Sequence, residues 1–453
     1  MRHWWDTFDA ATDLALIGWQ HLREDVAMTS DLDCFDVAVI GAGWAGLGVS
    51  YYLAQAGLRH CVLERSRIGE TWRTQRWDTF RLNTPNWASM MPGDRYDGPD
   101  PDGFMTRDAF VALLEDFAAR NNLPVETQTP VSALTFDGEQ DKLRLETSRG
   151  VRWARNVVIA SGSLNRPRRP QAAASLPLGL LQLDASDYRN PTSLPAGAVL
   201  VVGSAQCGGQ IAEDLVRAGR TVFLATGRVG RVPRRYRGRD IVFWFTRSGL
   251  FDVPRKEFVE ASGYIMGRPL LGAGRTISLQ SLSAQGVVLL GRLIGIEDGC
   301  LTFAANLEEN VQFGDAVSTR IKRSIDAHIA SEGIDAPAAD DDPDETVAPR
   351  LPDPPIRSLN LAEDGIASLI WCTGFEGDFG WVRVPGVLDA RGQPVQEEGI
   401  TAQPGLYFAG LDFAFTRNSG TLLALAKESQ HLVGHLLARH APTYQRGLNS
   451  SGP

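Results

Sequence analysis

The stretch that decides the fold is Phe35-Asp-Val-Ala-Val-Ile-Gly-Ala-Gly-Trp-Ala-Gly46, in which an apolar run leads into a glycine-rich turn. A helix-like apolar segment, a glycine and a second apolar run, Cys61-Val-Leu-Glu64, follow it. Strand, glycine-rich turn, helix and strand in this order predict a βαβ unit. Its glycines have the G-x-G-x-x-G spacing of a turn that binds a dinucleotide, and they are Gly41, Gly43 and Gly46.

Each glycine of this first fingerprint has a separate physical task. The first allows the tight turn, the second lets the backbone approach a pyrophosphate, and the third lets the helix pack on the strand. Glu64 ends the next strand, where a carboxylate can hold ribose hydroxyls, and Arg65 beside it is a further candidate for cofactor binding. The competing interpretation is a glycine-rich turn in an α/β protein that binds no ligand.

A second segment repeats the design. Ala198-Val-Leu-Val-Val-Gly203-Ser-Ala-Gln-Cys-Gly208 precedes a helix-like run, a glycine and the apolar run Thr221–Ala225. Its middle position is alanine, which adds one methyl group near the phosphates. The candidates for contact with a second dinucleotide are Gly203, Ser204, Gln206 and Gly208.

The second unit lacks the acid expected about 20 residues after the turn. Arg228 stands there, and three more arginines follow, Arg231, Arg234 and Arg235. An arginine in place of the acid suits the 2′-phosphate of NADPH, so Arg228, Arg234 and Arg235 are predicted to select NADPH over NADH. The alternative is a basic loop in contact with solvent.

These motifs predict an α/β protein with two dinucleotide-binding, Rossmann-like domains, the first discontinuous and the second inserted in it. Strand-like runs at 367–372 and 405–409 and a helix at about 421–438 are assigned to the return of the first domain. The predicted boundaries are a helical extension over 1–33, the first domain over 34–190, the second over 191–350 and the return over 351–453.

Bulk composition excludes several classes of protein. The net charge of −9 argues against a dedicated nucleic-acid binder, and no apolar run reaches the roughly 18 residues of a membrane span. Five widely spaced cysteines form no C-x-x-C pair, which favours reduced thiols in a cytoplasmic protein. Seven histidines include no H-E-x-x-H pair, so we expect no metal site. The oligomeric state stays open, a homo-oligomer included.

Two nucleotide sites in one chain indicate that hydride passes from NADPH to a bound flavin. From about residue 36 to 437 the sequence resembles the class B flavin-dependent monooxygenases, in their bacterial, YUCCA-like branch. Ile68-Gly-Glu-Thr-Trp72-Arg73 is similar to the family's G-G-x-W-R turn at the flavin, with Glu70 in place of the second glycine. Arg81-Leu-Asn83-Thr-Pro85 matches a segment whose asparagine, in the family, lies by the flavin ring and the nicotinamide.

Further motifs support the resemblance. Gln182–Tyr188 resembles the monooxygenase signature, with Asp184 in the place of the usual histidine and Tyr188 in its monooxygenase form. The resemblance gives Asn83, Asp184 and Tyr188 a place in catalysis. It also implies flavin or crossover contacts in three later segments, at Ser161, at Thr373 and Gly374, and at Asp412, Arg417 and Gly420.

The resemblance implies FAD and NADPH as cofactors. NADPH would reduce FAD, reduced FAD would react with O2 to give a C4a-(hydro)peroxyflavin, and one oxygen would pass to a small organic substrate by heteroatom oxidation, hydroxylation or oxidative decarboxylation. Two alternatives stay open. The first is an NADPH-dependent oxidase or dehydrogenase that releases hydrogen peroxide, and the second is a non-catalytic flavoprotein sensor.

Overall fold

A computed structural model of the chain describes residues 34–259 and 267–448. The helical extension predicted for residues 1–33 lies outside the described residues. Within the described ranges two sheets carry the two fingerprints, the first of mixed and the second of parallel strands.

The first sheet has seven strands. They are β1 (Cys34–Ile40), β2 (His60–Leu63), β3 (Val125–Glu126), β4 (Val131–Asp137), β5 (Lys142–Thr147), β6 (Gly150–Ile159) and, from the end of the chain, β19 (Leu406–Phe408). Their order is β3-β2-β1-β6-β5-β4, and β19 pairs with the second half of β6. β1 is parallel to β2 and β6, and its residues from Val37 to Val39 are fully buried. Burial on both faces explains why this strand is an unbroken apolar run.

The second sheet has five parallel strands. They are β8 (Leu181–Asp184), β9 (Ala198–Val202), β10 (Val222–Ala225), β13 (Val288–Leu290) and β17 (Ile366–Trp371), in the order β13-β10-β9-β17-β8. β9 leads into the second fingerprint as β1 leads into the first. Both fingerprints therefore lie at the carboxyl edge of a parallel sheet, where α/β proteins bind their ligands.

The position of β17 and β8 differs from the sequence prediction, which placed both segments in the first domain. Ile370 pairs with Val201 on one side and with Leu183 on the other, so both strands belong to the second sheet. A buried apolar strand fits either parallel sheet equally well, so its composition does not decide the partner. The second nucleotide domain therefore extends beyond the predicted bounds of 191–350 at both ends.

Ten helices are described, and two of them determine how the chain closes on itself. They are α1 (Trp44–Gln55), α2 (Glu70–Thr74), α3 (Arg107–Arg120), α4 (Gln206–Arg217), α5 (Ile241–Arg247), α6 (Arg255–Phe258), α7 (Leu279–Ala284), α8 (Leu307–Glu332), α9 (Pro343–Thr346) and α10 (Leu422–Leu448). α10 packs on α1, with Leu425 against Gly48, where a Cβ would lie 2.5 Å from the leucine Cδ1. The close contact brings the end of the chain back to the first fingerprint. Among the described helices none combines the length and apolar character needed to cross a membrane.

The remaining strands form small sheets at the periphery. They are β7 (Arg166–Pro167) with β18 (Phe375–Glu376), β11 (Arg235–Tyr236) with β12 (Arg239–Asp240), and β14 (Leu293–Glu297) with β15 (Cys300–Phe303) and β16 (Ser358–Asn360). The first of these joins the two linker segments that connect the domains. The five cysteines all lie in the described ranges, and no disulfide joins any two of them.

Candidate functional site

The first fingerprint has the backbone of a dinucleotide turn. Gly41 has φ +106°, a value that favours glycine, and a Cβ on Gly46 would lie 1.9 Å from the carbonyl oxygen of Gly41. A Cβ on Gly43 would meet nothing within 4 Å, because this residue faces open space at the start of α1. The open side is where the positive end of the helix would meet a pyrophosphate.

Glu64 is buried at the end of β2, beside the same turn. Its Oε2 accepts a hydrogen bond of 2.8 Å from the Ala42 backbone N–H, and its Oε1 accepts one of 2.8 Å from the Ser66 N–H. Each carboxylate oxygen can accept more than one hydrogen bond, so both can still receive ribose hydroxyls. The arrangement fixes the carboxylate at the turn, as the sequence predicts, while Arg65 beside it is exposed.

Ser161 provides a direct test of whether a cofactor fits. Its Oγ is buried and has no hydrogen-bond partner among the described residues, and its Cα would lie 3.2 Å from a Cβ on Gly41. Buried hydroxyls in native proteins are almost always hydrogen-bonded. An orphaned hydroxyl, an open glycine and a carboxylate at one turn together fit a bound dinucleotide such as FAD.

The second fingerprint repeats the first in detail. Gly203 has φ +104°, and a Cβ on Gly208 would lie 1.7 Å from the Gly203 carbonyl oxygen. Ala205 caps α4 in the same extended conformation that Gly43 adopts before α1. Ser204 is buried, and its Oγ accepts a hydrogen bond of 3.1 Å from the Gly227 N–H after β10. The alanine at the middle position therefore leaves the turn geometry unchanged.

Asn83, which the resemblance assigns to the flavin ring and the nicotinamide, contacts the second domain. Its Nδ2 donates to the Gln206 Oε1 at 3.3 Å, and its Oδ1 accepts from the Gln210 Nε2 at 2.8 Å. Gln206 is the first residue of α4, inside the second fingerprint. The structure thus ties the segment next to the first cofactor site to the helix that begins the second.

Three residues of α4 that the sequence analysis did not connect share this interface. Gln206, Gln210 and Asp214 follow each other at a spacing of four residues, which places them on one helix face. Asp214 accepts hydrogen bonds of 2.6 Å from the hydroxyls of both Thr79 and Tyr188. Three polar residues at a spacing of four, on one face of the helix, are the signal that could have identified them.

Tyr188 lies in the segment between β8 and β9, and its hydroxyl contacts this polar face of α4. Its side chain is fully buried, and burial together with the hydrogen bond to Asp214 raises the pKa of Tyr188 far above its usual value. The phenol therefore stays protonated and acts as a hydrogen-bond donor. At the position predicted to be catalytic, the structure shows a hydrogen bond within the second domain, to the same Asp214 that also accepts from Thr79 of the first domain.

Asp184 also lies in a structural pair. Arg169 binds its two carboxylate oxygens with both nitrogens of the guanidinium edge, at 2.7 and 2.9 Å. The pair joins the linker to the end of β8. The residue in the place of the family's histidine is therefore a carboxylate paired with an arginine.

The arginines after β10, of which Arg234 and Arg235 are predicted to bind the 2′-phosphate, lie in different environments. Arg234 is 2% exposed and pairs with buried Asp240, while its Nη1 donates to the carbonyls of Asn83 and Gly272. Arg235 faces Asp102 of the first domain at 3.2 Å. The number of residues between the glycine-rich turn and Arg234 does not show the path of the chain, which has left the edge of the sheet before it reaches Arg234.

Arg228 remains the candidate for the 2′-phosphate. It is exposed two residues after Thr226, at the carboxyl end of β10, and its guanidinium lies over the Phe313 ring at 4.5 Å. An arginine held flat on a ring keeps its edge free for bidentate contact with a phosphate.

Replacing Arg228 with alanine should raise the KM for NADPH by at least about tenfold and leave the KM for NADH nearly unchanged, because a hydrogen bond to a charged group contributes about 1.5–3 kcal/mol. Steady-state kinetics with each nucleotide measure this, with Arg235→Ala as the matched control. Equal effects on both nucleotides would remove Arg228 from the 2′-phosphate site.

Trp72 and Arg73 lie in the short helix α2 and contact protein groups. The Trp72 ring packs edge-on against Phe110 at 4.8 Å, and Arg73 pairs with Glu115 of α3 at 2.5 Å. These contacts fix α2 against α3 beside the first fingerprint. In the linker after β17, Thr373 donates to the Arg168 carbonyl, and Gly374 has φ +100° with open space on its Cβ side.

The loop from Asp412 to Gly420 lies between β19 and α10, against the first fingerprint. A Cβ on Gly410 would lie 2.6 Å from the Cβ of Ala45 in the first turn of α1, and one on Gly420 would lie 2.2 Å from the Asp412 Oδ1. The Arg417 guanidinium stacks on the Phe258 ring at 5.0 Å, and burial lowers the pKa of Arg417. The segment that leads into this loop therefore packs against the first turn of α1.

Two residues next to this loop were not found from the sequence, namely Arg268 and Glu428. Arg268 comes from the second domain, and its Nη2 donates to the Asp412 Oδ1 at 3.0 Å and to the Ser419 carbonyl at 2.5 Å. Glu428 is buried in α10. Neither belongs to a motif, so no pattern in the sequence identified them. Over the described ranges no three His, Cys, Asp or Glu side chains form a group suited to a metal ion.

Comparison with known proteins places the chain among flavin enzymes. Residues 38–237 match the family model described as pyridine nucleotide-disulphide oxidoreductase. An uncharacterized CzcO-like oxidoreductase of Geobacillus kaustophilus is 31% identical over 404 residues, covering 89% of this chain and 98% of that protein. The indole-3-pyruvate monooxygenase YUCCA1 of Oryza sativa is 30% identical over 203 residues, covering 44% of this chain and half of that enzyme.

Solved structures agree on the fold. A flavin-containing monooxygenase from Stenotrophomonas maltophilia superimposes with a TM-score of 0.61 at 19% identity, covering 90% of this chain and 99% of that one. OTEMO, solved in complex with FAD and NADP, gives a TM-score of 0.53 at 14% identity, covering 90% of this chain and 86% of that one. Both share the arrangement of two Rossmann-type domains.

Proposed function

The chain belongs to the class B flavin-dependent monooxygenases and has FAD and NADPH as its cofactors, and from this premise we propose that it reduces FAD with NADPH and uses O2 to oxygenate a small organic substrate. The observation that carries the proposal is the pair of matching fingerprints joined through Asn83 and Gln206. One nucleotide at each turn would bring two redox rings toward the same junction.

The chain's own residues would bind and orient both nucleotides. The first turn, with Glu64 and Ser161, would hold FAD, and the second turn, with Gln206 and Arg228, would hold NADPH. Asn83, whose amide already contacts α4, would orient the groups where the two rings meet. Asp184 and Tyr188 would act on this arrangement from the linker by fixing the angle between the domains.

When bound, FAD would supply the oxygen chemistry, held by the first turn with Glu64 and Ser161. The chain's contribution is to position the reactants and exclude water from the junction. Asp214 and Arg234 of the second domain support this task, because they bind Thr79 and the Asn83 carbonyl of the first domain. Heteroatom oxidation, hydroxylation and oxidative decarboxylation are the reaction types this chemistry offers.

A stopped-flow experiment tests the proposal. The FAD-loaded protein is reduced by NADPH without oxygen and then mixed with O2 while the flavin spectrum is recorded. We expect an oxygenated flavin that persists for many times the mixing time. Prompt return of oxidised FAD with one hydrogen peroxide per flavin would identify an oxidase, and failure of NADPH to reduce the flavin would identify a non-catalytic flavoprotein.

Asn83→Ala in the same assay should shorten the lifetime of the oxygenated flavin about fivefold, as loss of a hydrogen bond of about 1 kcal/mol implies. The matched control is Asn121→Ala, which removes an asparagine at the end of α3, where its Nδ2 bonds the Phe117 carbonyl. An unchanged lifetime in Asn83→Ala would remove Asn83 from the site.

A further inference from the structure

Of the four arginines at positions 228 to 235, Arg228 differs from the others in how its guanidinium is held. Three of them are paired with carboxylates, in the pairs Arg231–Asp315, Arg234–Asp240 and Arg235–Asp102. The Arg228 guanidinium instead lies over the Phe313 ring, 4.5 Å from its centre, and no carboxylate within residues 34–259 and 267–448 pairs with it. A phosphate would have to displace a carboxylate from an arginine, whereas a ring leaves the positive charge uncompensated. Arg228 is therefore the arginine of this group whose charge is available to an anion.

The loop that carries Arg228 is fixed just before that residue. Thr226, which directly follows β10, is buried, and its Oγ donates to the Leu290 carbonyl at 2.7 Å. The same oxygen accepts a hydrogen bond of 3.0 Å from the Nδ2 of Asn310, a buried residue of α8 that lies one turn before Phe313. Buried polar groups that are satisfied in this way hold the backbone that carries them. The start of the loop is therefore tied to the helix that supplies the ring.

The loop contacts α8 again just after Arg228. A Cβ on Gly230 would lie 2.8 Å from the Val317 Cγ1, so the backbone of the loop packs closely on the helix at this point. The buried Arg231 side chain then pairs with Asp315 of the same helix at 2.6 Å. Because α8 holds the loop on both sides, it also sets where the Cα of Arg228 lies. What remains to be oriented is the Arg228 side chain.

The ring of Phe313 provides that orientation. Arg228 is exposed, and Phe313, the seventh residue of α8, is half-buried beside it. Over the part of the chain that the structure describes, this ring is the side chain that holds the Arg228 guanidinium. An exposed arginine samples many rotamers, and ordering it on a ligand costs free energy of binding. A ring that holds the guanidinium before the ligand arrives lowers this cost.

We propose that Phe313 is a positioning residue that holds Arg228 ready for the 2′-phosphate and thereby determines the preference of the second site for NADPH. The inference rests on the proposed function, in which Arg228 binds that phosphate. It adds that the selectivity resides in the pair of arginine and ring, one from the loop after β10 and the other from α8. NADH lacks the phosphate, so the ring contributes nothing to its binding.

Calorimetric titration of the oxidised, FAD-loaded protein with NADP+ and with NAD+ tests the proposal without turnover. Phe313→Leu keeps an apolar side chain on α8 but removes the ring. We expect the Kd for NADP+ to rise about two- to fivefold, the range of an exposed cation–π contact, and the Kd for NAD+ to stay at the wild-type value. An unchanged Kd for NADP+, or an equal rise for both nucleotides, would overturn the proposal.

Two further variants separate the orientation of Arg228 from a general structural role of the ring. Phe313→Tyr keeps an aromatic face and should bind NADP+ as the wild type does. In an Arg228→Ala background, Phe313→Leu should have no additional effect on NADP+, because its effect passes through the arginine. Failure of tyrosine to restore binding, or additive losses in the double variant, would contradict the proposal.

Phe35→Leu is the matched control, since the Arg59 guanidinium lies over the Phe35 ring at 5.1 Å in the same kind of contact. Phe35 lies near the amino end of β1, at the opposite edge of the first sheet from the fingerprint. Both dissociation constants should equal those of the wild type in this variant. A selective loss of NADP+ binding in Phe35→Leu would overturn the assignment to Phe313.

Arg228→Ala alone distinguishes the inference from the proposed function on which it rests. If Arg228→Ala weakens NADP+ binding and Phe313→Leu does not, the inference about the ring is wrong and the assignment of Arg228 stands. If neither variant changes NADP+ binding, the assignment of Arg228 is wrong and the inference falls with it. Release of hydrogen peroxide instead of oxygenation would refute the proposed oxygenation and leave all of these dissociation constants unchanged.

Discussion

Replacing Arg234 with methionine should destabilise the protein by about 3–5 kcal/mol, because it breaks a buried ion pair and leaves Asp240 charged without its partner. The two side chains are 2% and 1% exposed. The Asp240 Oδ1 also accepts the Val242 N–H at 2.8 Å, so the carboxylate caps α5 as well as pairing with the arginine. Unfolding in denaturant measures the loss as a lower midpoint.

The second consequence of Arg234→Met lies at the domain junction. The Nη1 of Arg234 donates to the Asn83 carbonyl at 2.9 Å, so the variant also releases the segment that carries Asn83. We expect slower flavin reduction by both NADPH and NADH, in equal measure. A stable variant with a selective rise in the KM for NADPH would return Arg234 to the 2′-phosphate site.

Two controls separate these causes. Arg235→Met removes an exposed arginine whose pair with Asp102 contributes at most about 1 kcal/mol, and it should leave stability nearly unchanged. The double variant Arg234→Met with Asp240→Leu removes both charges and should recover part of the loss, since it leaves no unpaired buried charge. A double variant as unstable as Arg234→Met alone would contradict this explanation.

Two alanine substitutions in the first fingerprint should differ in their effect on stability: Gly46→Ala should lower it and Gly43→Ala should not. In Gly46→Ala the new methyl group meets the Gly41 carbonyl oxygen at 1.9 Å, and backbone cannot yield as a side chain does. The loss should be at least about 3 kcal/mol, at the upper end of overpacking, and FAD should be lost with the fold. Gly43→Ala meets nothing and adopts an ordinary extended backbone, so the apoprotein should keep its stability.

The same methyl group at position 43 enters the space through which a pyrophosphate would approach. Gly43→Ala should therefore weaken FAD binding by about tenfold, or about 1.4 kcal/mol, without a change in apoprotein unfolding. Titration of apoprotein with FAD and thermal unfolding of both variants measure the two effects. If Gly43→Ala bound FAD as the wild type does, the cofactor would not lie against that face of the turn.

The fingerprints could be predicted from the sequence because their chemistry is local. The requirement at Gly41 and Gly46 arises within six residues, and the same holds for Gly203 and Gly208. The resemblance also singled out Asn83, and its place at the cofactors stays a prediction. The family and the two-domain α/β fold follow from these segments and are confirmed by the comparisons.

What the sequence could not show depends on contacts between distant segments. Arg234 and Asp240 are near neighbours in sequence, but their burial depends on carbonyls from Asn83 and Gly272. β17 belongs to the second sheet because it pairs with β9, a strand distant in sequence. Glu428 has no motif at all, and its environment is built from a loop, a helix and a segment of the other domain.

The most direct measurement of the central claim is anaerobic titration of the FAD-loaded protein with NADPH, followed by the absorbance of the flavin. One equivalent of NADPH per bound FAD should reduce the flavin completely, and NADH at the same concentration should act more slowly. A flavin that stays oxidised at saturating NADPH would contradict the claim that the two fingerprints serve one redox reaction.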